Sequence, residues 1–216
     1  MSTNQTLGVI AVGVAAVLLI WLGIVVVKGA RRRRDLLRQW CARTGWIFTR
    51  KDARLAVRWQ LPPLHGYGGA TNVVCGVVPE GRITCCQHLS GSADGSATTR
   101  IVGAIDVGVR LPTTIVCRPR RLAKPHPSVP VPVVPGELQV LAADPTAAEE
   151  AARLLTAQAL RRVAVLDRQR IGVYVALDGQ EIVACANGSL TVDDLEEWIA
   201  LLRGLATDAG LSHPTS

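Results

Sequence analysis

The stretch 171-IGVYVALDGQEIVACA-186 decides the fold class. Ile171, Val173, Val175 and Leu177 alternate along the chain up to Asp178-Gly179. A period of two marks a half-buried strand, and Asp-Gly is a favoured two-residue turn. The spacing therefore predicts an antiparallel hairpin, with Glu181–Ala186 returning as the partner strand. Helical signals flank it. On one side Asp144-Pro145 starts a helix, with Asp as N-cap, Pro in the first turn and Glu149 and Glu150 close behind, running to about Arg162. On the other, Thr191 opens a helix whose Val192, Leu195, Trp198, Ile199, Leu202 and Leu205 form one apolar stripe.

Earlier strands complete the pattern. Trp46-Ile47-Phe48 reads as a strand, and Asp52 as the cap of a short helix through Arg58. Thr71–Val78 and Arg82–Leu89 read as a second hairpin, and Ser90–Ala97 as a polar tip. Ile101 to Leu111 is a long half-buried strand, and Thr113–Cys117 a short one after Pro112. Antiparallel hairpins packed on two or three helices make the class α+β. Six prolines at 119–135 rule out a regular central strand there and suggest a stiff connector.

The N-terminus has a different character. Leu7–Val27 is 21 residues without a charge, preceded by six uncharged residues. As a helix it would span about 31 Å, against a hydrocarbon core of about 30 Å. A cleaved signal would carry its positive charges before the apolar run, whereas here they follow it. The expected layout is a short external N-terminus (1–6), a transmembrane helix (7–27), a basic juxtamembrane segment with an amphipathic helix (28–58), and an α+β domain (59–216). In that segment Leu36, Leu37, Trp40 and Cys41 fall at helical spacing, and Gly45 is the stop.

The chain of 216 residues has a net charge of +7, but the charge is local. Residues 28–58 hold eleven Lys/Arg against Asp35 and Asp52, and everything beyond is slightly acidic. The basic character is thus a feature of one strip, which argues against nucleic acid as a partner. Lys28, Arg31, Arg32, Arg33, Arg34 and Arg38 read as lipid-contact and topology residues. They keep their side cytoplasmic, place the protein in the plasma membrane with its N-terminus outside, and attract anionic headgroups.

Six cysteines (41, 75, 85, 86, 117 and 185) are expected as free thiols on that side. A turn at Glu80-Gly81 would set Cys75 opposite Cys86 with His88 on the same face, a weak metal-ligand set. A three-residue turn sets Cys75 opposite Cys85 and gives the cleaner apolar face, so it is the preferred register. Gly66, Gly68 and Gly69 lack the strand–loop–helix context and Lys-Ser/Thr of a phosphate loop. His65, His126 and His213 fall in loops or the tail, and Arg118, Arg120, Arg121 and Lys124 form a smaller basic cluster.

The chain resembles a group of uncharacterised actinobacterial single-pass membrane proteins with a cytoplasmic α+β domain. The resemblance lies in the apolar span and arginine run, Leu37 to Gly45-Trp46, and Asp52…Leu55…Trp59. It continues through Asn72-Val73-Val74…Gly76 with Gly81-Arg82, Val109-Arg110-Leu111-Pro112, and the Asp144-Pro145 start. The segment Ile83–Gln87 departs from the aromatic-rich strand of that group. The resemblance implies no catalytic residue. The expected role is a membrane-anchored interaction or scaffold module, with no cofactor and with lipid headgroups and a protein partner at the inner leaflet. The alternative is an enzyme using a thiol or metal site around Cys75, Cys85, Cys86 and His88.

Overall fold

The computed structural model describes residues 3–59, 68–91, 97–117, 129–131, 138–142 and 144–211, and no side chain before residue 14. The expected external segment 1–6 and His65, His126, His213 and the basic cluster at 118–124 lie outside the described side chains. The fold is α+β, with a seven-stranded antiparallel sheet.

Helix α1 (Thr3–Thr44) is continuous through Gly29. Among the described residues no helix is long and apolar enough to cross a membrane; the side chains of 7–13 and 15 are not among them. The helix ends as the sequence suggests. Gly45 takes a left-handed φ of 77°, and the Trp46 N–H donates to the Cys41 carbonyl at 3.0 Å, satisfying an end-of-helix acceptor. Trp46 then lies over Gly76, where even a methyl group would meet the indole at 2.1 Å.

Strands β1 (Ile47–Asp52), β2 (Gly68–Val78), β3 (Gly81–Gly91) and β4 (Ala97–Cys117) pair in sequence order. Between β1 and β2 sits the short helix α2 (Leu55–Arg58). Edge strand β5 (Val129–Val131) pairs with β6 (Gln139–Ala142), which joins β4. Pro130 thus falls on an edge, where a missing N–H is tolerated. The rest of the proline-rich segment lies outside the described residues. Then come α3 (Pro145–Leu154), α4 (Ala157–Gln169), β7 (Tyr174–Asn187) and α5 (Val192–Asp208).

The stretch 171–186 is not a hairpin. β7 is one strand, and it pairs with β4 along its length. The register changes between Asp106↔Glu181 and Thr114↔Leu177, with Gly108 and Gly179 at φ of 68° and 63°. Both strands switch faces there. Val173, Val175 and Leu177 share a core cluster with Ile182, Ala184 and Ala186, while Ile105 and Val107 share it with Val116. Asp178-Gly179 therefore lies opposite an irregular, bulged stretch of β4 between Asp106 and Thr114, and the alternation reverses there without the chain reversing. Pro112 likewise does not split β4.

Two further expectations change. The helix from Pro145 breaks at Leu155, and Thr156 caps a new one by accepting from the Ala159 N–H at 3.2 Å. The β2–β3 register is neither of those anticipated: Cys75 is opposite Thr84 and Val74 opposite Cys85. The two-residue loop is Pro79-Glu80, because Gly81 already belongs to β3. Its φ is 150°, and a Cβ there would lie 2.1 Å from the Asp106 carbonyl oxygen.

Both sheet faces are buried. The main core lies under the helices, where Trp198 and Leu202 of α5 pack on Gly103, joined by Leu37, Trp40 and Cys41 of α1. The opposite face buries Leu55, Trp59, Cys86, Val102, Val183 and Cys185. The packed unit thus includes α1 from Leu37 onward, β1 and α2. Asp144 and Thr191 cap α3 and α5 as their positions suggest; Thr191 and Asp194 form a reciprocal capping box.

Candidate functional site

The cysteines are separated by the sheet. Cys85 belongs to the core under the helices, and Cys86 to the opposite one. Adjacent strand residues point to opposite faces, so the two thiols cannot act on one substrate atom. Cys75, with its Sγ 3.6 Å from the Thr84 Oγ1, packs on the same side as Cys86. His88 is buried and shares the Cys86 parity. Among the described residues no three His, Cys, Asp or Glu come together as possible metal ligands. Burial pushes the Cys85 and Cys86 thiols far up, that of Cys185 to about 12, and that of Cys41 to about 11. A reactive cysteine needs the opposite shift. The Cys117 side chain lies outside the described residues.

A different site forms where α1 crosses the sheet. Arg33 and Arg34 lie one turn beyond Ala30 and face Arg50 and Lys51 of β1. Thr71 and Asn72 of β2 and Gln87 of β3 complete a cleft of about 250 Å³. Lys51, Thr71 and Gln87 form one cross-strand row, in which the Thr71 Oγ1 donates to the Gln87 carbonyl at 3.3 Å. The register slips at Asn72, a non-glycine residue at φ 50°. Such a φ costs about 1 kcal/mol outside glycine and is eased in Asn by its short polar side chain. The bulge places Thr71 and Asn72, neighbours in sequence, at one site.

Among the described residues, four cations and no carboxylate line this cleft. The Arg34 Nε and Asn72 Oδ1 are buried without a hydrogen-bond partner among the described residues. A second, larger cleft of about 670 Å³ has the opposite balance. It gathers Asp144, Glu150 and Asp178 against Arg110 alone, and its Asp144 already accepts from the Ala147 N–H at 2.8 Å. Of these two clefts, the first is the one suited to an anion.

Of the residues expected to contact lipid, Arg33 and Arg34 enter the cleft. Lys28, Arg31 and Arg32 are exposed outside it. Arg38 lies over the Phe48 ring, 5.4 Å from its centroid, a cation–π contact. Arg50 and Lys51 were visible in the sequence only as charge. Thr71, Asn72 and Gln87 gave no signal, because the bulge that gathers them has no sequence signature here.

No family model and no curated protein sequence matches this chain. One similar solved structure is the crystal structure of the mycobacterial trehalose monomycolate transport factor A, TtfA. The two agree with a TM-score of 0.59 at 15% identity, over 86% of this chain and 97% of that one. The likeness at this identity is one of fold: this chain has the same α+β architecture as that protein.

Proposed function

We propose that the protein is held in the plasma membrane by residues 7–27 of α1, and that its α+β domain is a cytoplasmic interaction module at the inner leaflet. The observation that carries this reading is the surface of α1. Its large apolar side chains from Val14 to Val27 are 45–69% exposed all round the helix, whereas Leu37 on the same helix is fully buried. A contiguous apolar surface of this size calls for a bilayer or a partner, and the uncharged run from Leu7 has the length of a bilayer core. The arginines at 31–34 support a cytoplasmic position for the domain beyond them. The similar fold of a protein named as a transport factor supports an accessory role in transport at the membrane.

Alkaline carbonate extraction of membranes carrying the full chain tests the anchor. Retention in the pellet is expected, and release into the supernatant overturns it. Protease treatment of inverted vesicles tests the orientation, with cleavage of the domain expected and protection overturning it.

A further inference from the structure

We propose that the cleft between α1 and β1–β3 binds the phosphate of an anionic phospholipid headgroup. This deepens the membrane-anchored reading and rests on it. The cleft's chemistry is that of a phosphate site: Arg33, Arg34, Arg50 and Lys51 line it, and among the described residues no acid does. Guanidinium groups match phosphate oxygens geometrically, and their charge-assisted hydrogen bonds are the strong ones.

The orphaned atoms point the same way. The Arg34 Nε is a buried donor with no acceptor among the described residues, an expensive state that a phosphate oxygen relieves. The Asn72 Oδ1 of the same cleft is a buried acceptor with no donor among the described residues. A headgroup hydroxyl next to the phosphate satisfies it, so a polyol headgroup such as glycerol fits both atoms.

Depth selects the lipid over a soluble ester. Arg34 lies seven residues beyond Val27, about 10 Å along the helix axis. The headgroup layer on each side of the hydrocarbon core is about 5–8 Å thick. With Val27 at the edge of the core, Ala30 at the mouth of the cleft lies about 4–5 Å out, inside the headgroup layer, and the long side chains of Arg33 and Arg34, which lean toward the helix N-terminus, reach back to it.

The full chain, purified in neutral detergent doped with phosphatidylglycerol, tests this by native mass spectrometry of retained lipid. R33Q/R34Q should retain at least about tenfold less than the parent. R31Q/R32Q removes the same charge from the same helix outside the cleft, and should stay within about twofold. R50Q/K51Q, on β1, should reproduce the loss and guards against a defect confined to α1. Equal loss in the R33Q/R34Q and R31Q/R32Q chains would reveal diffuse attraction and overturn the site, as would equal retention in all of them. Equal retention of phosphatidylcholine by the parent would overturn the anionic headgroup. Displacement of the lipid by glycerol 3-phosphate would make the soluble ester the occupant and overturn the lipid assignment. The micelle measurement does not ask where α1 sits. Carbonate release with the variant difference intact would therefore refute the anchor alone, and loss of the difference with the anchor intact would refute the cleft alone.

Discussion

The two ends of α1 belong to one uninterrupted helix and live under opposite rules. Around Leu22 every apolar side chain faces outward, 54% exposed in that residue. Around Leu37 they enter the domain, where Trp40 donates its indole N–H to the Glu196 Oε1 of α5 at 2.9 Å and meets Trp46 edge-on at 5.5 Å. Between them lie the arginines. Helix formation is indifferent to this change of surroundings, because all its backbone hydrogen bonds are internal. The comparison teaches that a secondary-structure boundary and a boundary of environment need not coincide.

The comparison can be broken first at its buried end. Leu37→Ala should cost about 2–5 kcal/mol of domain stability, read from denaturant melts of the detergent-solubilised chain, because a fully buried methyl cluster leaves a cavity. A loss under about 0.5 kcal/mol would mean that α1 is not part of the core. At the other end, Leu19→Arg should cost about 3–4 kcal/mol of membrane insertion, measured by the glycosylated fraction of an insertion reporter, while leaving the domain melt unchanged. Trp40→Phe loses the bond to Glu196 and part of the buried indole's packing, and should cost about 1–3 kcal/mol in the same melts.

A smaller effect concerns the helix on which α1 docks. The Glu80 carboxylate takes two hydrogen bonds from Arg203 of α5, at 2.8 and 3.0 Å, and Arg203 holds it below the usual carboxylate range. Because the folded pKa is depressed, the stabilisation is present above the unfolded value of about 4.3 and fades as pH falls through and below it. Its size is about 1 kcal/mol or less, since Arg203 is half exposed. Glu80→Gln should remove that share of the acid sensitivity, and a melt series from neutral to acid pH that matches the parent would count against the clamp. Smallest of all, Leu22→Ala should leave the domain melt within about 0.5 kcal/mol.

Much of the fold was legible where the signal is local. Gly45, Asp144-Pro145 and Thr191 act at the helix ends they mark, because capping depends on neighbours within four residues. Asp178-Gly179 misleads for a physical reason: a left-handed glycine suits a hairpin turn and a bulge equally. The phase of the alternation, odd up to Leu177 and even from Ile182, does not separate the two either, since a two-residue hairpin that pairs Leu177 with Gln180 requires the same switch. Thr156 was readable as a cap, hidden inside an alanine-rich run. The cleft was legible only as charge. Its assembly depends on where α1 crosses β1–β3, which no single segment specifies.

The face reversals that β4 and β7 make at the same level carry a consequence for how this sequence can change over time. Each strand reverses its inward face once, and the two reversals lie side by side, so Ile105 still meets Ile182 and Val116 still meets Val175. Removing one residue between Leu177 and Ile182 would turn half of β7 inside out against an unchanged β4. A compensating length change in β4 would be needed at the same level. The two segments are therefore free to drift in residue type but locked together in length, like two copies of one ruler.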